Sequence, residues 1–164
     1  MLLTVFFILS LFFTVYGAQN KKNTNAKKNI EMTILYTNDL HAHVDPFLFR
    51  AIDEKEKVGC FANITAFVKD VRKKKDTVFF FDAGDYFTGP AISTLTEGEA
   101  IVDIVDTMGY DAVSVGNHEF DHGWKNGLEK LKKYKTPVVL SNIYIEENGQ
   151  PFWDKPYTII EKNG

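Results

Sequence analysis

The chain has 164 residues, 45% hydrophobic and 25% charged, the balance of a globular domain with room for a buried core and outside the disordered range. Its formal net charge of −3 and pI near 5.8 exclude the broad basic field that a nucleic-acid polymer requires. The 14 Phe point to an aromatic core, and Cys60, the only cysteine, has no disulfide partner in the chain and so says nothing about compartment.

Leu2 to Tyr16 is an apolar run broken only by Thr4, Ser10 and Thr14. It is shorter than a spanning helix needs. Val15-Tyr16-Gly17 puts aliphatic or small residues at the two positions a signal peptidase reads, so residues 1–17 read as a signal peptide cleaved before Ala18. A retained anchor is the alternative and the one route to membrane association; with no Cys after the run, a bacterial lipid anchor has no attachment point. Residues 18–30 read as a polar, Lys- and Asn-rich linker. The destination implied is export: periplasm, cell surface or medium. Asn63-Ile64-Thr65 fits a glycosylation acceptor, but it falls in a predicted helix and is read as a chance match.

Met32 to Thr37 is the first predicted strand, followed by Asn38-Asp39-Leu40-His41-Ala42-His43. If the extended backbone persists, Asp39 and His41 project to one side, a two-ligand grip for a metal ion; His43 shares that parity. Gly59 to Lys75 is predicted as an amphipathic helix, with Phe61, Ile64, Val68 and Val71 on one face and a basic end suited to the helix dipole. Val78 to Phe81 is a continuous apolar run typical of a fully buried strand, ending in Asp82-Ala83-Gly84-Asp85. Thr96-Glu97-Gly98-Glu99 has capping-box spacing and opens a helix to about Met108, with Gly109 as its C′ residue. Ala112 to Val115 is a third strand, Trp124 to Lys133 a helix, Pro137 to Leu140 a fourth strand and Tyr157 to Glu161 a fifth. Asn163-Gly164 is a hairpin signal with no strand after it, so the sequence reads as the front part of a longer protein.

The third strand delivers Gly116-Asn117-His118-Glu119-Phe120-Asp121. A bare turn does not need an imidazole and two acids together. Asn117 is a neutral oxygen ligand, His118 titrates near neutrality, and Asp121 is placed to hold its tautomer. The repeated β-loop-α order argues an α/β architecture with parallel strands, in which ligands gather at the carboxyl ends of strands. Asp39, His41, Asp85 and Asn117 all fall at such ends. They are hard oxygen and imidazole ligands suited to Mn, Zn, Fe or Mg, not to thiolate chemistry. A carboxylate between two sites can bridge two ions that bind a phosphoryl oxygen and activate water. His118 would then stabilise charge or protonate the leaving oxygen.

Leu35-Tyr36-Thr37-Asn38-Asp39-Leu40-His41, Gly84-Asp85 and Gly116-Asn117-His118-Glu119-Phe120-Asp121-His122-Gly123 resemble the calcineurin-like metallophosphoesterases, and within them the 5′-nucleotidase family of nucleotidases, apyrases, UDP-sugar hydrolases and 2′,3′-cyclic phosphodiesterases. The resemblance implies an α/β fold, a sandwich of two mixed β-sheets flanked by helices, incomplete at the C-terminus of this sequence. It implies two divalent metal ions, with Asp39 and His41 on the first, Asp85 bridging and Asn117 on the second, and a catalytic dyad of His118 and Asp121. It implies a nucleotide or other phosphate-ester substrate. His122 stands where the family often has Asn, and Gly59-Cys60 where a Gly-Gly is common. The family's further His ligands come from a downstream Gly-His-x-His stretch, whereas this sequence holds only His41, His43, His118 and His122. Residues 18–164 alone are therefore expected to hydrolyse nucleotides poorly. The competing expectation is a non-catalytic remnant that binds a metal or a partner.

Overall fold

The computed structural model describes Asn29 and residues 31–52 and 54–163; the expected signal peptide and all of the expected linker but Asn29 lie outside the described residues. In chain order the elements are β1 (Thr33–Thr37), β2 (Phe47–Leu48), β3 (Lys57–Val58), α1 (Phe61–Lys74), β4 (Val78–Asp82), α2 (Ala91–Leu95), α3 (Glu99–Met108), β5 (Ala112–Val113), a 3₁₀ turn (His118–Phe120) and α4 (Trp124–Leu131).

β4 is central, pairing in parallel with β1 (Leu35 opposite Phe80) and with β5 (Phe81 opposite Ala112). A parallel bridge from Val113 to Val138 adds the next step of the sheet. Each crossover moves one strand along in the same direction. Since parallel crossovers are right-handed, the connecting helices fall on one face. The core shows this. Phe61 and Val68 of α1, Ile101, Val102, Val105 and Met108 of α3, and Leu131 of α4 bury against Phe80, Val113 and Val138. The alternate residues lie on the other side, where Ile34 and Tyr36 are 56% and 76% exposed. β2 and β3 form a separate antiparallel pair, too short and too interrupted to have been visible as strands in the sequence.

Local chemistry explains the remaining differences from expectation. The third strand stops at Val113, two residues early, because side chains take over its polar groups: the Tyr86 hydroxyl donates to the Ser114 carbonyl, and Gly116 N–H donates to Glu119 Oε2 at 2.6 Å. Of Pro137 to Leu140, only the Val138 bridge forms. Tyr157 to Glu161 has no ladder partner among the described residues; it is held further on, where Lys162 donates to the Val78 carbonyl at 2.7 Å and to Asp111 at 2.6 Å. The capping box is displaced by a stronger offer. Glu99 pairs with Lys130 and Lys133 at 2.5 Å, while Thr96 Oγ1 accepts from Ala100 N–H at 3.3 Å. The helix instead starts at Gly98, and it ends, as expected, on a left-handed Gly109. α1 begins with Cys60 Sγ accepting from Asn63 N–H at 3.3 Å and ends in Arg72, Lys73 and Lys74.

Candidate active site

The loops after β1, β4 and β5 meet at the carboxyl ends of the strands. Asp39, His41 and Ala42 donate their N–H groups to the carbonyls of Gly84, Asp85 and Tyr86 at 2.9, 3.0 and 2.7 Å. The β1 loop therefore runs beside the β4 loop in register. It is not extended. Asp39, His41 and Ala42 have φ of 53°, 44° and 52°, so the expected alternation of side chains is not what brings Asp39 and His41 together. Left-handed turns do so instead, leaving His41 Nε2 3.8 Å from Asp39 Oδ1. The β4 and β5 loops touch through two glycines. A Cβ on Gly84 would stand 2.2 Å from Gly116 N, and one on Gly116 would stand 2.1 Å from Asp85 Oδ1. No side chain fits at either place.

Glu119 holds this arrangement. Its side chain is fully buried. Oε1 accepts from Tyr86 and Phe87 N–H at 2.7 and 3.2 Å, and Oε2 from Asp85 and Gly116 N–H at 3.0 and 2.6 Å. Burial raises its pKa above the usual glutamate value, against these four donors. A second buried acid, Asp82, ends β4. It accepts from Gly84 N–H at 2.7 Å and from the hydroxyls of Thr37 and Tyr110, and burial pushes it up to about 6.

His41, Asp85 and His118 each offer one ligand atom, and these atoms lie within 4.8 Å of one another. The His41 and His118 rings meet edge to face, 4.7 Å between centroids. His41 Nδ1 lies 3.0 Å from the Thr88 carbonyl. A carbonyl can only accept, so Nδ1 carries the proton and Nε2 is the free donor atom, the tautomer a metal ligand needs. The set of imidazole and carboxylate fits a divalent cation. Asp85 Oδ1 also accepts from His118 N–H at 2.9 Å, fixing the two loops' ligands to each other. Asn117 is exposed and caps the 3₁₀ turn, its carbonyl accepting from Phe120 N–H at 3.1 Å. His43 packs against Phe47, 4.5 Å between ring centroids, with Nδ1 3.1 Å from the His41 carbonyl.

His118 Nδ1 lies 2.6 Å from Asp121 Oδ2. That hydrogen bond raises the His118 pKa above the ordinary imidazole value and, from the other side, lowers that of Asp121. Thr88 Oγ1 donates to the same Oδ2 at 2.5 Å. Thr88 has φ 56°, a conformation that typically costs on the order of 1–3 kcal/mol for such a residue.

A family model described as calcineurin-like phosphoesterase matches residues 32–164. The chain belongs to the calcineurin-like phosphoesterase family. It is 34% identical over 121 residues to mouse 5′-nucleotidase, covering 69% of this chain and 20% of the relative. It is 31% identical over 166 residues to NAD 5′-nucleotidase of Haemophilus influenzae, covering 96% of this chain and 27% of the relative. The structure of Haemophilus influenzae NAD nucleotidase superposes with a TM-score of 0.68 at 29% identity, over 82% of this chain and 25% of that one. The chain thus spans about a fifth to a quarter of the length of these phosphoesterase relatives.

The sequence reading did not single out Glu119, Thr88 or the Asp82–Thr37–Tyr110 group. The signal for Glu119 was in plain view, as an acid inside the Gly116–Asp121 motif. What was hidden was its direction, into the protein and onto backbone donors of another loop.

Proposed function

We propose that this chain is the metal-binding front part of an exported phosphohydrolase that cleaves phosphate esters of nucleotides. The observation that carries the reading is the imidazole of His118, backed by Asp121 at 2.6 Å and standing in one cluster with His41 and Asp85. Asp39 and His41 would hold a first divalent ion, Asp85 would be shared, and Asn117 would hold a second. Such ions, when bound, bind phosphoryl oxygens and supply a nucleophile from water near neutral pH.

The remaining chemistry belongs to the side chains. The hydrogen bond to Asp121 Oδ2 keeps one proton on His118 Nδ1 and favours the imidazolium. The second proton, on Nε2, is then available to the oxygen that leaves phosphorus. As the P–O bond to that oxygen breaks, the proton passes to it and the alcohol departs neutral. Asp121 stays ionised throughout. The relatives' names support a nucleotide as the ester, and the apolar run from Leu2 to Tyr16 supports export.

One observation favours a second role for His118. Its ligand atom falls inside the three-residue cluster, the place of a metal ligand. Two variants of the full-length protein separate the readings. Asp85→Ala is expected to abolish phosphate release from AMP and to lose most bound metal by elemental analysis. His118→Ala is expected to keep its metal and lose about 10²–10⁴-fold in turnover, the usual contribution of an acid–base group. Metal lost from His118→Ala would make His118 a ligand and remove the dyad.

A further inference from the structure

Thr88 touches both halves of the site at once, through different atoms. Its carbonyl receives His41 Nδ1 at 3.0 Å, which leaves Nε2 of that ring bare for a cation. Its hydroxyl donates to Asp121 Oδ2 at 2.5 Å, the oxygen that also holds His118 Nδ1 at 2.6 Å. Its own N–H donates to Ser93 Oγ at 3.1 Å, and Ser93 is fully buried in the middle of α2. The residue is therefore pinned to the core on one side and reaches two functional imidazoles on the other.

The backbone adds an independent observation. Thr88 sits at φ 56°, the only β-branched residue among the described non-glycine residues with positive φ. A β-branched side chain is poorly suited to that conformation, and a loop under no other demand would place Gly or Asn there. The left-handed backbone turns the carbonyl toward His41 while the side chain turns toward Asp121.

We propose that Thr88 is a positioning residue that sets the tautomer of His41 through its carbonyl and the orientation of the His118–Asp121 pair through its hydroxyl. The proposal rests on the dyad reading of the site. Asp121 Oδ2 has two hydrogen-bond donors. With only one, the carboxylate is free to rotate about its last bond, and the imidazole it holds loses a fixed direction. The two arms are separable. A side-chain change removes the hydroxyl and leaves the carbonyl on His41, so it should disturb the proton donor and spare the metal ligand.

The test uses the full-length protein with Thr88→Val, Thr88→Ser and, as reference, His118→Ala. Valine is also β-branched and equally strained, so it removes only the hydroxyl. The expected result is a fall in kcat of about 10–100-fold, the usual cost of losing a partner that orients a functional group. KM and metal content should be unchanged, and Thr88→Ser should restore kcat. Imidazole ¹⁵N NMR reads the same contact without turnover: the His118 signals should move in Thr88→Val and return in Thr88→Ser, while His41 stays protonated on Nδ1. If valine cannot be accommodated, Thr88→Ala carries the same measurements. Wild-type kcat in Thr88→Val, where His118→Ala is impaired, overturns the proposal, as does loss of metal from Thr88→Val. If His118→Ala keeps full turnover, the dyad reading fails instead, and unmoved His118 signals in Thr88→Val would then sink the positioning role as well.

Discussion

Four backbone N–H groups from two loops converge on the carboxylate of Glu119. Glutamine at this position has nearly the same shape but only one acceptor oxygen. Its NH₂ would face two of those N–H groups, leaving buried donors opposed to a donor. An unsatisfied buried donor costs about 1–3 kcal/mol, so Glu119→Gln is expected to destabilise the protein by about 2–4 kcal/mol in urea unfolding. Metal affinity should fall as well, because Asp85 follows the loop that Glu119 holds. A variant as stable as the parent would mean that water or a shifted backbone replaces the staple.

At the scale of elements, the site is made by strand ends that come to one place. β1, β4 and β5 are parallel neighbours, so their carboxyl ends lie side by side, and Gly84 and Gly116 let the loops approach to backbone contact. Asp82 sits under that contact and receives Gly84 N–H. Burial raises its pKa from 3.8 to about 6. The sign follows from proton binding. Between those two values the folded state holds a proton that the unfolded state has released, so stability falls as pH rises through this window. The contribution is full below the unfolded pKa and is lost above about 6, and is on the order of 3 kcal/mol at most. Asp82→Asn, which cannot ionise, is expected to flatten the measured unfolding free energy between pH 4 and about 6 relative to the parent. An unchanged slope would assign the pH dependence to other groups.

At the scale of the whole molecule, stepping the sheet in one direction leaves one face without helices among the described residues. Ile34 and Tyr36 on β1 are 56% and 76% exposed there. Phe79 and Phe81 on β4 lie on the same side, and with Tyr157 and Ile160 they border an open cavity of about 490 Å³. An apolar sheet face of this kind drives association when it is not covered. Residues 31–164 made alone are expected to self-associate in sedimentation velocity experiments, and Ile34→Lys with Tyr36→Lys to shift them toward monomer. A monomeric parent fragment would show that the face is covered from within. None of the helices among the described residues is long and apolar enough to cross a membrane.

Much of this was determined by the sequence alone. A short strand-like segment gave β1, a continuous apolar run gave β4, the helical period gave α1 and α3, and Gly109 marked the end of α3, because these signals depend on neighbours within a few residues. The parallel β-loop-α order, which leaves little choice of topology, put Asp39, His41, Asp85 and Asn117 at strand ends; the structure groups His41 and Asp85 with His118. What the tertiary structure decided depends on partners far along the chain. The capping box at Thr96 lost Glu99 to Lys130 and Lys133 of a later helix and loop. The predicted strand ending at Val115 was cut short by Tyr86 and Glu119. Asp39 and His41 were joined by left-handed turns and not by strand alternation. Glu119 and Thr88 became the residues that hold the site, for the same reason: each is a polar side chain whose partners, the backbone groups of the loop after β4 and the carboxylate of Asp121, lie about 30 residues away, beyond the reach of any local pattern.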